Sequence, residues 1–416
     1  AFQTVRNTSQ PPSISIMNTL LICLALLAAT TLALVPLETH REVVRGSYII
    51  MLHEGTASRH SRARATLKNK ILTADPVNEI TAEWDIINGF AARLSKETVE
   101  ELRQMDHTIA LIEEDGVMHA MPSCNSNQAT PRSWGLQRVS ATSCGAVPSQ
   151  YSLPSSPGAG TRNYILDTGV RCSHNEFSGG RAVAGRSFIS GESACSDGNG
   201  HGTHVAGTVG GNTVGIARSG TIVDVKVLSR TGSGSTSGVV GGVDFAASDA
   251  QSNGVHCGSS RGCKSTANMS LGGGASSALD NAVNNANSAG LLMVVAAGND
   301  NRDACSYSPA RATGAFTTVA SDINQRRSTF SNYGSCTNII APGTSIYSST
   351  GTSDSAYSTL SGTSMASPHV AGVSAVIVGA STYSSTTAAK SAVTSQANQD
   401  CVTNANGVNL IASVCN

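Results

Sequence analysis

Tyr164-Ile165-Leu166-Asp167-Thr168-Gly169-Val170 is a short apolar run that stops on a carboxylate and a glycine. A continuous apolar run, rather than an alternating one, predicts a strand covered on both faces. Residues 222–228, 267–271 and 291–297 repeat the pattern. Helix-compatible stretches lie between them, at 202–210, 238–253 and 277–289. Strands alternating with helices predict an α/β fold, a parallel sheet with helices on both faces. In such a sheet, a carboxylate ending a strand lies where functional sites collect.

Outward from this run the chain divides in two. Only Gly46, Gly55, Gly89 and Gly116 precede residue 122, although the whole chain of 416 residues has 42 glycines. With 40% apolar residues it can fill a large core, which argues against wholesale disorder. Lys+Arg equals Asp+Glu at 27 each, so no nucleic-acid partner is expected, since that would need a basic face. Residues 1–16 precede Met17 and read as upstream sequence. Residues 17–33 form an apolar run shorter than a comfortable bilayer span, with Thr31 and Ala33 placed as at a signal-peptidase site. No other segment is expected to cross a membrane, and the protein is expected to be secreted and monomeric.

Residues 47–121 predict a small α+β unit. A strand at 47–52 is followed by a helix at 59–72, a hairpin at 84–94 around Asn88-Gly89, a helix opened by Ser95 and a strand at 109–113. The order β-α-β-β-α-β is that of a ferredoxin-like unit. Residues 123–416 then form the larger α/β domain. Besides Cys23 in the leader there are ten cysteines: Cys124, Cys144, Cys172, Cys195, Cys257, Cys263, Cys305, Cys336, Cys401 and Cys415. An even number in a secreted chain predicts up to five bridges.

Two more segments carry chemistry. Asn199-Gly200-His201-Gly202-Thr203-His204-Val205 places a histidine at the start of a small-residue helix. Gly362-Thr363-Ser364-Met365-Ala366-Ser367-Pro368-His369 places a serine at a helix N-terminus. The N–H that Pro368 lacks would have bonded the Ser364 carbonyl, in the first turn of that helix, where the loss costs least. A serine hydroxyl is a weak nucleophile until a base takes its proton and a third group holds that base in one tautomer. Ser364, His201 and Asp167 could supply these roles.

In this order, the three motifs closely resemble the subtilase family of serine endopeptidases, especially its proteinase K-like branch. The resemblance covers residues 47–416, with an inhibitor-type propeptide over 34–122 ahead of a peptidase domain over 123–416. It implies hydrolysis of peptide bonds by an Asp167-His201-Ser364 triad through an acyl-enzyme, with no cofactor needed for the chemistry. It places the oxyanion donors at Asn299 and the Ser364 N–H. Gly232-Ser233-Gly234 and Ser270-Leu271-Gly272-Gly273 resemble the two edges that hold an extended peptide. Ala296, Ala297, Gly298 and Gly272 would wall an uncharged first pocket, which favours apolar and aromatic residues. The propeptide would act as an intramolecular inhibitor, with its tail in the active site and the cut between about Ala120 and Gln128.

Local pairing of the cysteines would join 124–144, 172–195, 257–263, 305–336 and 401–415; only Cys305–Cys336 is implied by the resemblance. The family's strong calcium site maps onto Thr313, Ala315 and Asn338, with Asn where the family has Asp, and a second site maps onto Thr142 and Asp400. Val205 stands where the branch often has a free cysteine, so thiol sensitivity there is not expected. His204 and His369 read as structural, since no H-E-x-x-H motif accompanies them. Asn268-Met269-Ser270 is a glycosylation sequon expected to be unmodified. A basic-specific processing protease would need acidic residues near the first pocket, where Asp300 is the candidate. A dead protease scaffold is the non-enzymatic alternative. An α/β-hydrolase would place its partners in the order Ser, Asp, His instead.

Overall fold

The computed structural model describes residues 34–39, 43–53, 57–120, 133–149 and 151–414. The N-terminal unit runs β1 (Leu37–Glu38), β2 (Val43–Leu52), α1 (Ala57–Ala74), β3 (Glu79–Trp84), β4 (Gly89–Arg93), α2 (Lys96–Leu102) and β5 (Ile109–Ala120). Its strands lie in the order β1-β5-β2-β4-β3, the expected ferredoxin-like arrangement with a short parallel strand added at one edge. Asn88 takes φ +43° between β3 and β4, as a tight hairpin requires. Ser95 caps α2 by accepting from the Thr98 N–H at 3.2 Å. Alternate strand residues face opposite ways: Ile50, Phe90 and Ala92 pack with Leu67, Ile71 and Leu102 of α1 and α2. Ile49, Trp84 and Ala91 turn instead toward the larger domain.

That domain continues with α3 (Trp134–Val139), β6 (Arg162–Asp167), β7 (Ala182–Ser187), α4 (His201–Gly210), β8 (Thr221–Lys226), β9 (Ser233–Ser235), α5 (Thr236–Ser252), β10 (Ser265–Met269), β11 (Leu271–Gly272), α6 (Ser277–Ser288) and β12 (Leu292–Ala296). It ends with β13 (Phe316–Ser321), β14 (Ile339–Pro342), β15 (Ile346–Ser349), β16 (Tyr357–Leu360), α7 (Thr363–Ala380), α8 (Thr386–Ser395), β17 (Asn398–Gln399) and β18 (Leu410–Ile411). The main sheet has the order β17-β18-β14-β13-β12-β10-β6-β8-β7, parallel except for the β17–β18 edge. Helices cover both faces. Tyr164, Leu166 and Val225 pack toward α5 and α6, whereas Ile165, Ile222 and Val294 pack toward α4 and α7.

Two expectations change: the reach of the last N-terminal strand and one cysteine pairing. The last strand of the N-terminal unit does not stop at 113 but runs to Ala120, because its far end pairs with the larger domain. Helix α7 is long and apolar enough to cross a bilayer, but 89% of it is buried in the core. Cys144 bonds Cys401, not Cys124, and Cys401 is therefore not paired with Cys415. The loop after α3 lies against the C-terminal strands, with the two Cα atoms 5.1 Å apart. Cys172–Cys195, Cys257–Cys263 and Cys305–Cys336 are bridged as expected. Cys124, Cys415, the leader and residues 121–132 lie outside the described residues.

Candidate active site

Asp167 ends β6, and His201 opens α4. Gly202 permits their approach: a Cβ there would lie 2.1 Å from the Gly169 carbonyl oxygen and 3.1 Å from the Asp167 Cβ. The Asp167 carboxylate is buried, and its Oδ1 accepts from the Thr168 N–H and from His201 Nδ1, both at 2.7 Å. Nδ1 therefore carries the proton, which leaves Nε2 as the basic nitrogen. Nε2 is buried without a hydrogen-bond partner among the described residues. Burial pushes the His201 imidazolium down, but the charge and hydrogen bond of Asp167, helped by Asp197, more than offset it and raise the pKa.

Asp197 was not singled out in the sequence. Its Oδ1 accepts from the Thr168 hydroxyl at 2.9 Å and from the N–H groups of Asn199 and Gly200. Its Oδ2 accepts from the N–H and hydroxyl of Thr203 at 2.9 and 2.6 Å. The Thr168 hydroxyl in turn accepts from the Gly202 N–H at 2.9 Å. One carboxylate thus ties the end of β6 to the first turn of α4, where the helix dipole favours negative charge. A carboxylate four residues before a helix-opening histidine is the signal that could have found it.

Ser364 lies in the first turn of α7. Its hydroxyl donates to the Ser270 carbonyl at 3.3 Å, and the Ser270 hydroxyl donates to the Ser364 carbonyl at 2.8 Å. Asn299 Oδ1 accepts from the Thr363 N–H at 2.8 Å and its hydroxyl at 3.0 Å, which turns the amide Nδ2 the other way. Ala296, Ala297 and Gly298 leave the end of β12 beside 270–273, which leave the neighbouring β10. Gly298 has φ +104°, and a Cβ there would meet Asn332 at 2.3 Å.

Residues 117–120 of β5 run antiparallel to both expected substrate edges. Val117, Met118 and His119 pair with Ser235, Gly234 and Ser233 of β9; His119 and Ala120 pair with Gly272 and Leu271 of β11. Gly232 precedes β9 and has φ +82°, while Gly273 donates to the Ser308 carbonyl. Just upstream, two buried carboxylates of β5 meet two helix N-termini. Glu113 accepts from the Ser276 hydroxyl and from the Ala278 N–H at 2.7 Å, at the start of α6. Asp115 accepts from the Ser237 N–H at 2.8 Å and from the Ser237 hydroxyl, at the start of α5.

The remaining candidates are structural. His204 Nε2 donates to the Ile346 carbonyl at 3.0 Å, and burial lowers its pKa to about 3. His369 Nδ1 meets the Met365 carbonyl at 2.7 Å, and burial lowers its pKa to about 4. Asn268 is buried, its side chain bonded to Ser270 and Ser367, so the sequon offers no room for a glycan. Val205 is core.

The strong calcium positions do not fit a metal. Asn338 Oδ1 accepts from the Thr317 N–H at 2.7 Å, and the Ala315 carbonyl accepts from the Lys390 ammonium at 3.3 Å. The Thr313 hydroxyl donates to Asn284. No carboxylate is present in this set, which suits a hard dication poorly. Thr142 and Asp400 adjoin the Cys144–Cys401 bridge and bring one carboxylate. Among the described residues no cluster of three or more His, Cys, Asp or Glu could hold a metal.

The subtilase family matches residues 160–411, and the peptidase inhibitor I9 family matches residues 47–121. An alkaline proteinase of Hapsidospora chrysogena is 41% identical over 86% of this chain and 89% of its own length. Alkaline serine exoprotease A of Vibrio alginolyticus is 43% identical over 77% of this chain, which spans only 57% of that relative. The crystal structure of a cold-adapted subtilisin-like serine proteinase superposes with a TM-score of 0.63 at 41% identity, over 69% of this chain and all of the other. The chain therefore belongs to the subtilase family of serine proteases, with a peptidase inhibitor I9 unit ahead of its peptidase domain.

Proposed function

We propose that the protein is a secreted, monomeric endopeptidase made as a self-processed precursor, with a signal at 17–33, an inhibitory propeptide over 34–122 and a peptidase domain over 123–416. The observation that carries this reading is the course of residues 117–120, bonded on both sides by β9 and β11 as an extended substrate would be. In this reading Ser364 Oγ leaves the Ser270 carbonyl and attacks the scissile carbonyl carbon. Its proton passes to His201 Nε2, and Asp167 stabilises the imidazolium. Asn299 Nδ2 and the Ser364 N–H receive the developing oxyanion. His201 then protonates the leaving amine, giving an acyl-enzyme that water hydrolyses with the same base.

Small, uncharged walls at Gly272 and 296–298 favour apolar and aromatic residues at the cleaved position. Asp300 and Arg302 both act on the Tyr307 hydroxyl, with opposite charge, and the small walls themselves offer no carboxylate to a basic residue. The test is expression of the full chain without other proteases. Ser364→Ala, which removes one oxygen, is expected to fold and accumulate uncut on a gel. Asn299→Ala is expected to mature slowly and turn over substrate about 10²–10³-fold more slowly, a magnitude known from subtilisin's own oxyanion donor. If Ser364→Ala is processed at the parent rate, another protease activates the precursor.

A further inference from the structure

Lys390 of α8 is a half-buried lysine with no role in the reaction described above. Its Nζ donates to the carbonyls of Gly314 at 2.5 Å and Ala315 at 3.3 Å, in the turn that leads into β13. No carboxylate pairs with it among the described residues. The polar side chains on the same turn are neutral: Asn284 Oδ1 accepts from the Gly314 N–H at 2.6 Å, and Asn338 Oδ1 accepts from the Thr317 N–H. Ala315 and Asn338 are two of the positions that map onto the strong calcium site of the proteinase K-like enzymes. In this chain the set has lost the carboxylate and gained a cation.

The structure assigns to the Lys390 ammonium a role beside the mapped calcium position: it binds the Gly314 carbonyl and one mapped carbonyl, that of Ala315, so that this turn is held without metal and is closed to a divalent cation. The chemistry is consistent on both sides. Backbone carbonyls are neutral acceptors that suit either an ammonium or a hard cation. A dication entering beside a fixed ammonium would meet repulsion, with no carboxylate to outweigh it. Burial without an opposite charge pulls the ammonium down to about 8, which agrees with neutral acceptors as its partners.

The test measures calcium binding by equilibrium dialysis and Tm in calcium and in chelator. It uses the full chain carrying Ser364→Ala, so that self-digestion does not intervene. Any calcium that this chain binds elsewhere is expected to be unchanged by Asn338→Ala. Asn338→Asp alone is expected to gain none, because the ammonium stays on the Ala315 carbonyl. Lys390→Met with Asn338→Asp is expected to bind one more calcium per chain. Its Tm is expected to rise by about 5 °C when calcium is a hundredfold above its Kd. The assignment is overturned if Asn338→Ala removes a bound calcium, if Asn338→Asp alone gains one, or if the double variant gains none. The two single variants decide the question even if the double variant fails to fold.

Discussion

At the residue scale, the decisive contact is between His201 and Asp167. The raised pKa of His201 means that the imidazole stays protonated to a higher pH than an ordinary histidine near ~6.5. A general base must be neutral, so kcat/KM is expected to climb through neutral pH into the alkaline range. Asp197 contributes to that shift by its charge and to the geometry by its bonds to Thr168 and Thr203. Asp197→Asn keeps the size of the side chain but removes the charge. The acidic limb of the pH–rate profile should move to lower pH, while kcat falls about tenfold and KM changes little. A variant with reduced stability but an unmoved limb would make Asp197 purely structural.

At the scale of elements, β5 does two jobs. Its middle caps α5 and α6 through Asp115 and Glu113, and its end lies between β9 and β11. Loss of one capping group typically costs about 1 kcal/mol, or about fivefold in affinity. Glu113→Ala and Asp115→Ala should each shorten the lag between processing and full activity, and together do so more strongly. A lag that is unchanged in both would place the inhibitory contact elsewhere. The bridges also differ at this scale. Cys305–Cys336 spans 31 residues and Cys144–Cys401 spans 257, so the chain-entropy account gives about 3.7 and about 5.5 kcal/mol. Denaturant unfolding of the two serine double variants, in the Ser364→Ala background, should rank them in that order.

For the molecule as a whole, the docking of α8 on the β13 turn links stability to pH. The unfolded chain holds the Lys390 proton at its ordinary value of 10.5, whereas the folded chain releases it at about 8. Between these values the unfolded state binds more protons, so stability should rise with pH. Below about 8 the buried ammonium is a constant cost. Lys390→Met should flatten the rise between pH 8 and 10.5 in Tm measurements, and an unchanged slope would assign it to other groups.

Much of this architecture is legible in the order of residues. Continuous apolar runs marked β6, β8, β10 and β12, because strands covered on both faces cannot alternate. The small residues around Asp167, His201 and Ser364 marked the helix and strand ends that come together. Asn88-Gly89 marked the hairpin, since its backbone conformation is local. What the sequence left open is non-local. The full reach of β5 followed from the family resemblance, which puts the tail in the active site, and not from local propensity, because its last residues are a strand only through partners more than a hundred residues away. The Cys144–Cys401 bridge joins segments that local pairing would never match. Glu113 and Asp115 looked like ordinary acidic residues until the N-terminal sheet was docked on α5 and α6. Lys390 met the Gly314 and Ala315 carbonyls only once α8 had packed against that turn. Periodicity and propensity act over a few residues, whereas burial and electrostatic pairing depend on which distant surfaces the fold brings into contact, and only the tertiary structure decides that.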